Sequence, residues 1–115
     1  MITLINPPGI KSLSGLQMHS PNPPLGLAYI AAALKEAGYP YTVIDATGEA
    51  LDAVSPYPDR NDFMVQGLSI GELIGRIPTG TEIIGITCMF STLWPITNRM
   101  ARAIRECFPG AWLVL

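Results

Sequence analysis

Four short runs of β-branched and apolar residues alternate with three segments of helical period, and this alternation dictates the architecture. The runs are Ile2–Asn6, Tyr41–Asp45, Ile83–Cys88 and one opening at Trp112 and closing at Leu115. Between them lie Leu25–Ala37, a stretch from Ser69 to Ile77, and a third from about Leu93 to Phe108. A β-α-β-α-β-α-β order builds a parallel sheet through right-handed crossovers, with helices on both faces. The expected fold is α/β: a Rossmann-like (flavodoxin-like), three-layer, doubly wound parallel sheet. Such sheets normally continue past the fourth strand. Stopping on Leu113-Val-Leu115 therefore predicts truncation there, with residues 1–115 forming one domain at the N-terminus of a longer multidomain protein.

Local punctuation supports these boundaries. The first strand stops at Pro7-Pro8-Gly9, because proline cannot donate to a ladder, and Pro7 to Pro24 reads as loop. Pro24 suits the first turn of a helix and Gly38 its stop. Leu27, Ile30, Ala31 and Leu34 share one face of that helix, yet Ala28, Tyr29, Ala32 and Ala33 leave almost no polar side. A helix of this kind is expected to be covered on more than one side. Ser69-Ile-Gly-Glu72 has the capping-box pattern, and Ile70, Leu73, Ile74 and Ile77 fall together behind it. Gly71 and Gly75 weaken that helix. The continuous run from Ile83 fits a buried central strand. In the last helix Ile96, Met100, Ile104 and Cys107 form the predicted buried stripe, with Arg99, Arg102, Arg105 and Glu106 outward. Ala46 to Leu68 is a long connection carrying Glu49, Asp52, Asp59, Arg60 and Asp62. Thr47 to Val54 can make a helical turn or two before Ser55-Pro-Tyr-Pro58 breaks it. A connection of this length is expected to be functional, partner-facing or disordered.

Composition removes several function classes. Hydrophobic residues are 49% of the chain against 14% charged, enough to bury a core and too apolar for disorder. A formal charge of −2 argues against nonspecific binding to nucleic acid or anionic membranes. The longest apolar run, Leu25 to Leu34, is ten residues, about half of a bilayer span. Without a basic segment ahead of an apolar one at Met1, no secretory signal is expected either, which points to a cytoplasmic protein. Cys88 and Cys107 lie nineteen apart with no C-x-x-C, and His19 is the sole histidine. These side chains do not support a zinc site, an iron–sulfur cluster or a disulfide scaffold; two buried free thiols are expected.

Open parallel sheets bind ligands outside the carboxyl ends of their strands. Asn6–Pro24, Asp45–Gly48 and Cys88–Thr92 emerge there. No G-x-G-x-x-G follows the first strand, and two prolines remove amide donors that a pyrophosphate needs. P-loop and G-x-S-x-G motifs are also absent from the sequence, and Thr87-Cys88 stands where a response regulator carries aspartate. Three features remain. Asn6-Pro7-Pro8 with Pro23-Pro24-Leu25-Gly26 makes either a stiff-walled mouth for a flat, bulky ligand or ordinary turns. Thr87-Cys88-Met89-Phe90-Ser91-Thr92 offers amides and hydroxyls at a helix N-terminus, for a polar ligand group or for N-capping by Ser91 or Thr92. Asp45 stands where a ribose-binding acid sits in related folds, and capping or a turn is the alternative. His19 occupies a loop position open to a metal or corrin ligand. Gln17 and Asn22 break the D-x-H-x-x-G pattern of cobalamin lower-ligand sites, which favours an exposed loop histidine. Tyr29, Phe90 and Trp94 suit core or interdomain packing better than cofactor stacking.

Taken together, Leu4-Ile-Asn-Pro-Pro8, the run from Pro23 to Gly38, Val43-Ile-Asp-Ala46, Ile84-Gly-Ile-Thr87 and Pro109-Gly110 before an apolar strand closely resemble one family. It is the N-terminal cobalamin-binding domain of cobalamin-dependent radical S-adenosylmethionine enzymes. The resemblance spans all but Ala46 to Leu68 and is most specific from Pro23 to Gly38. It implies cobalamin at the strand carboxyl edge, bound base-off with no protein ligand below cobalt. Methyl transfer from S-adenosylmethionine to a carbon or phosphorus centre would be the usual chemistry; ring formation and rearrangement also occur in the family. A C-terminal radical domain of the same chain would carry S-adenosylmethionine and a [4Fe-4S] cluster on a C-x-x-x-C-x-x-C motif absent here. The cofactor-binding residues expected are Asn6, Pro7, Pro8, Pro24, Leu25, Gly26, Thr87, Cys88, Met89, Phe90, Ser91 and Thr92, with no catalytic or metal-ligating residue in this module. A cofactor-free Rossmann-like regulatory or interaction domain, using the same loops for a protein partner, is the competing expectation.

Overall fold

The computed structural model describes residues 1–13 and 23–115. Its main sheet is four-stranded and parallel, in the order β3-β1-β6-β7. The strands are β1 (Ile2–Asn6), β3 (Tyr41–Asp45), β6 (Ile83–Ile86) and β7 (Trp112–Val114), so the first strand in sequence is central. Leu4 aligns with Val43 on one side and Gly85 on the other. The fold is therefore α/β and Rossmann-like, as its alternating pattern requires.

The two faces of the sheet are covered unequally. Alternation along each strand sends Ile5, Ile44, Ile84 and Ile86 to one face, where they pack with Leu73 and Ile77 of α2 (Ile70–Arg76) and Met100 and Ile104 of α3 (Trp94–Cys107). Five of these eight, including Ile5 and Met100, are almost wholly removed from water. Each such side chain contributes roughly 1.5–3 kcal/mol of transfer free energy. On the other face α1 (Leu25–Glu36) packs Leu27 and Ala31 on Leu4, with Ile2, Leu34 and Tyr41 around them. Only β1 and β3 are covered in this way. Ile30, expected on the buried face of α1, is 51% exposed, because α1 packs against β1 and β3 and leaves that side of the helix open.

Both helix ends read from the sequence have the expected chemistry. Ser69 accepts from the Glu72 amide while Glu72 accepts from the Ser69 amide, a complete capping box. After α1, Gly38 adopts φ +79°, its amide bonding the Lys35 carbonyl and that of Tyr39 the Leu34 carbonyl. This is a Schellman termination.

The long connection after β3 keeps the helical turn expected within Thr47–Val54 and otherwise departs from expectation. It opens with a single 3-10 turn, Gly48–Ala50, and then forms two strands, β4 (Val54–Pro56) and β5 (Phe63–Gln66). These join β2 (Gly9–Ser12), from the segment read as loop, in an antiparallel sheet of order β2-β5-β4. Tyr57, Val65 and Ile96 form its own small core with Ile10 and Phe63, seating the accessory sheet against the start of α3. The thiols also differ from expectation. Both are free, but Cys88 is half-buried and Cys107 exposed. The stripe of α3 ends at Ile104, and Phe108 rather than Cys107 turns back onto the core. Among the described residues, no helix is long and apolar enough to cross a membrane.

Candidate functional site

A groove of about 690 Å³ opens at the carboxyl ends of β1 and β6 and runs onto the uncovered half of the α1 face. β1 ends where Pro7 and Pro8 turn the chain away; the Asn6 carbonyl still accepts from the Ala46 amide, and the Thr47 hydroxyl bonds the Pro7 carbonyl. That buried bond fixes one wall. Pro24, Leu25 and Gly26 open α1 on the opposite side, and Thr87 to Phe90 arch over from β6.

Nine of the twelve residues singled out from the sequence line the groove: Asn6, Pro7, Pro24, Leu25, Gly26, Thr87, Cys88, Met89 and Phe90. Three do not. Pro8 is buried beneath the wall, and Ser91 and Thr92 sit in an exposed 3-10 turn, Ser91–Leu93, leading into α3. Neither hydroxyl caps that turn or α3, so the capping reading of these two residues is corrected. The turn instead closes through the Leu93 amide and the Phe90 carbonyl, with Pro95 in the first turn of α3. His19 lies outside the described residues.

The groove also uses residues that motif reading passed over. Leu4, Leu27 and Ile30 line it, as do Gly85, Ile86, Leu93, Val114 and Leu115. Gly85 forms part of the floor, where an added Cβ would come within 3.2 Å of Leu4 Cδ2. Strand alternation could have found Gly85 and Val114, since both face the α1 side. The incomplete cover that exposes them is a tertiary property.

Among the described residues no charged side chain lines the groove; Asn6, Thr87 and Cys88 supply the polar ones. Asn6 Nδ2 donates to Asp45 Oδ1 at 2.8 Å, and the Gly48 amide donates to the same oxygen at 3.0 Å. Asp45 therefore serves the turn and the strand end, the structural role weighed for it above. The displaced titrations lie elsewhere. In the turn between β4 and β5, hydrogen bonding between Arg60 and Asp62 raises the guanidinium further and holds the Asp62 carboxyl below the usual carboxylate range. Chemically the groove suits a broad, mostly apolar, uncharged surface with a few hydrogen-bonding groups, and its described lining holds no cation for a phosphate.

No protein-family model matches the chain, and no solved structure does. Over 69 residues, 59% of its length, the chain is 33% identical to cytidylyl-2-hydroxyethylphosphonate methyltransferase of Streptomyces wedmorensis. That stretch is 13% of the methyltransferase, so the chain is similar to a small part of a longer enzyme.

Proposed function

We propose that this chain is the cobalamin-binding module of a radical S-adenosylmethionine enzyme, most simply a methyltransferase. The observation that carries the reading is the uncharged groove at the strand carboxyl edge, walled by Asn6-Pro7, Pro24-Leu25-Gly26 and Thr87–Phe90. Similarity to part of a methyltransferase supports it. When bound, cobalamin supplies a cobalt centre able to carry a methyl group.

The chain's own residues then bind and orient. Pro7 and Pro24 stiffen the mouth, and Gly26 has no atom within 4 Å of a would-be Cβ, leaving that wall open to close approach. Gly85 keeps the floor low, and Met89 and Phe90, 76% and 62% exposed, supply apolar surface that a ligand can cover. In this reading the cofactor is base-off and takes no cobalt ligand from the chain, and the described lining works through apolar surface and a few uncharged polar groups. Tyr29, Ile30, Trp112 and Val114 form an apolar exterior suited to packing against a radical domain that holds S-adenosylmethionine and an iron–sulfur cluster.

Reconstitution of the full-length protein with hydroxocobalamin, followed by gel filtration and visible spectroscopy, tests the assignment. Corrin absorbance is expected to comigrate with folded protein, and His19→Ala is expected to leave the spectrum unchanged. Folded protein eluting without corrin rejects the proposal in favour of a regulatory or interaction domain.

A further inference from the structure

We infer that Asn6 is the polar anchor of the groove, its side-chain carbonyl accepting from a primary amide on the rim of the bound ring. With Asp45 behind it, the site then selects amidated ligands over carboxylated ones. This rests on the corrinoid reading of the groove and deepens it.

The orientation of Asn6 follows from the chemistry of its partner. Asp45 Oδ1 accepts from Asn6 Nδ2 at 2.8 Å, and an ionised carboxylate has only acceptors to offer. The amide nitrogen therefore faces Asp45, and Oδ1 is turned away from it. Among the described residues no hydrogen bond is made to that Oδ1. Asp45 is itself held, since the Gly48 amide donates to the same carboxylate oxygen at 3.0 Å. A Cβ at Gly48 would collide with Asp45 Oδ2, so this arrangement depends on glycine there. The result is a fixed acceptor in a wall otherwise built from apolar and uncharged groups.

A fixed acceptor of this kind discriminates. A primary amide donates an N–H to it; a carboxylate in the same place has no proton to give. It would instead set oxygen against oxygen, with the Asp45 charge behind and no cation among the described lining residues to offset it. Corrinoids carry a rim of primary amides, and hydrolysis of any one of them leaves a carboxylate with the rest of the ring intact.

Spectral titration of the full-length protein at pH 8 compares hydroxocobalamin with its separate b-, d- and e-monocarboxylic acids. At least one acid is expected to bind about tenfold or more weakly, the ratio that one unpaired hydrogen-bonding group produces. Asp45→Asn and Asn6→Leu are expected to narrow that ratio, and Asn6→Leu also to weaken hydroxocobalamin itself; thermal melts establish which variants fold. Equal affinity of the native protein for all four ligands, or a ratio unmoved in the folded variants, overturns the anchor and leaves the cofactor reading standing. Absence of any corrinoid binding overturns both.

Discussion

At the scale of single residues, the two sheets are tied together by Gly67. Its φ of +128° is disfavoured for any side chain, and a Cβ there would run into the Ala46 carbonyl. Its amide bonds the Ala53 carbonyl at 2.9 Å while the neighbouring Leu68 amide bonds Ala46. Gly67→Ala is expected to cost roughly 2–5 kcal/mol, combining backbone strain with overpacking. Gly75 in α2 has open space around a would-be Cβ, so Gly75→Ala should instead stabilise by about 0.5–1 kcal/mol. Urea denaturation of the pair checks both signs. From the sequence Gly75 already reads as a weak point in a helix, whereas nothing marks Gly67, because its backbone angle and surrounding space are set by the rest of the fold. Thr97 is a third case. It is fully buried on α3, and its hydroxyl has no hydrogen-bond partner among the described residues. Thr97→Val keeps the shape and removes the unsatisfied group, with an expected gain of about 1–2 kcal/mol in the same experiment.

Among the elements, those with a local period were legible and those made by distant pairing were not. The main strands and all three helices follow from apolar spacing and from caps such as Ser69 and Gly38. β2 and β5 are four residues each and β4 three, and β2 pairs Gly9–Ser12 with Phe63–Gln66 across more than fifty residues of chain. Pro56 even argues against a strand unless it lies at an edge, which is where β4 stands. The accessory sheet bears on the groove through Tyr57. Its ring lies 5.9 Å from that of Phe63, and its hydroxyl donates to the Thr92 carbonyl at 3.4 Å, in the turn that follows the groove wall. Packing outweighs so long a hydrogen bond. Tyr57→Phe is therefore expected to cost less than about 1 kcal/mol, while Tyr57→Ala should cost roughly 3 kcal/mol. If Tyr57 steadies that wall, Tyr57→Ala also increases amide hydrogen exchange at Phe90–Leu93 and Tyr57→Phe does not. Equal exchange in both variants would show that the accessory sheet leaves the wall untouched.

For the molecule as a whole, the strand-edge groove was anticipated by sheet topology and loop composition, whereas its extension onto a bare sheet face was not. The apolar circumference of α1 signalled cover on a second side without saying where. The structure locates the uncovered surface: Tyr29 is 77% exposed, Ile30 51%, Trp112 76% and Val114 55%. Alternation puts Trp112 and Val114 on the same side of the sheet as α1, beside Ile83 and Gly85, with no helix above them among the described residues. Ile30 and Val114 line the same groove, so apolar surface runs from α1 to β7, and soluble monomers rarely leave such surface in water. The 115-residue chain on its own is therefore expected to self-associate as its concentration rises. Tyr29→Lys with Trp112→Lys should suppress that association and shift its stability by no more than about 0.5 kcal/mol, because both side chains lie outside the core. In a longer protein where another domain covers this surface, the same two substitutions bury charge at an interface and should lower Tm. Sedimentation velocity across a concentration series, paired with thermal melts of both lengths, separates the cases. A short chain that stays monomeric throughout, with Tm values unmoved in both lengths, would mean that this surface has no partner to meet.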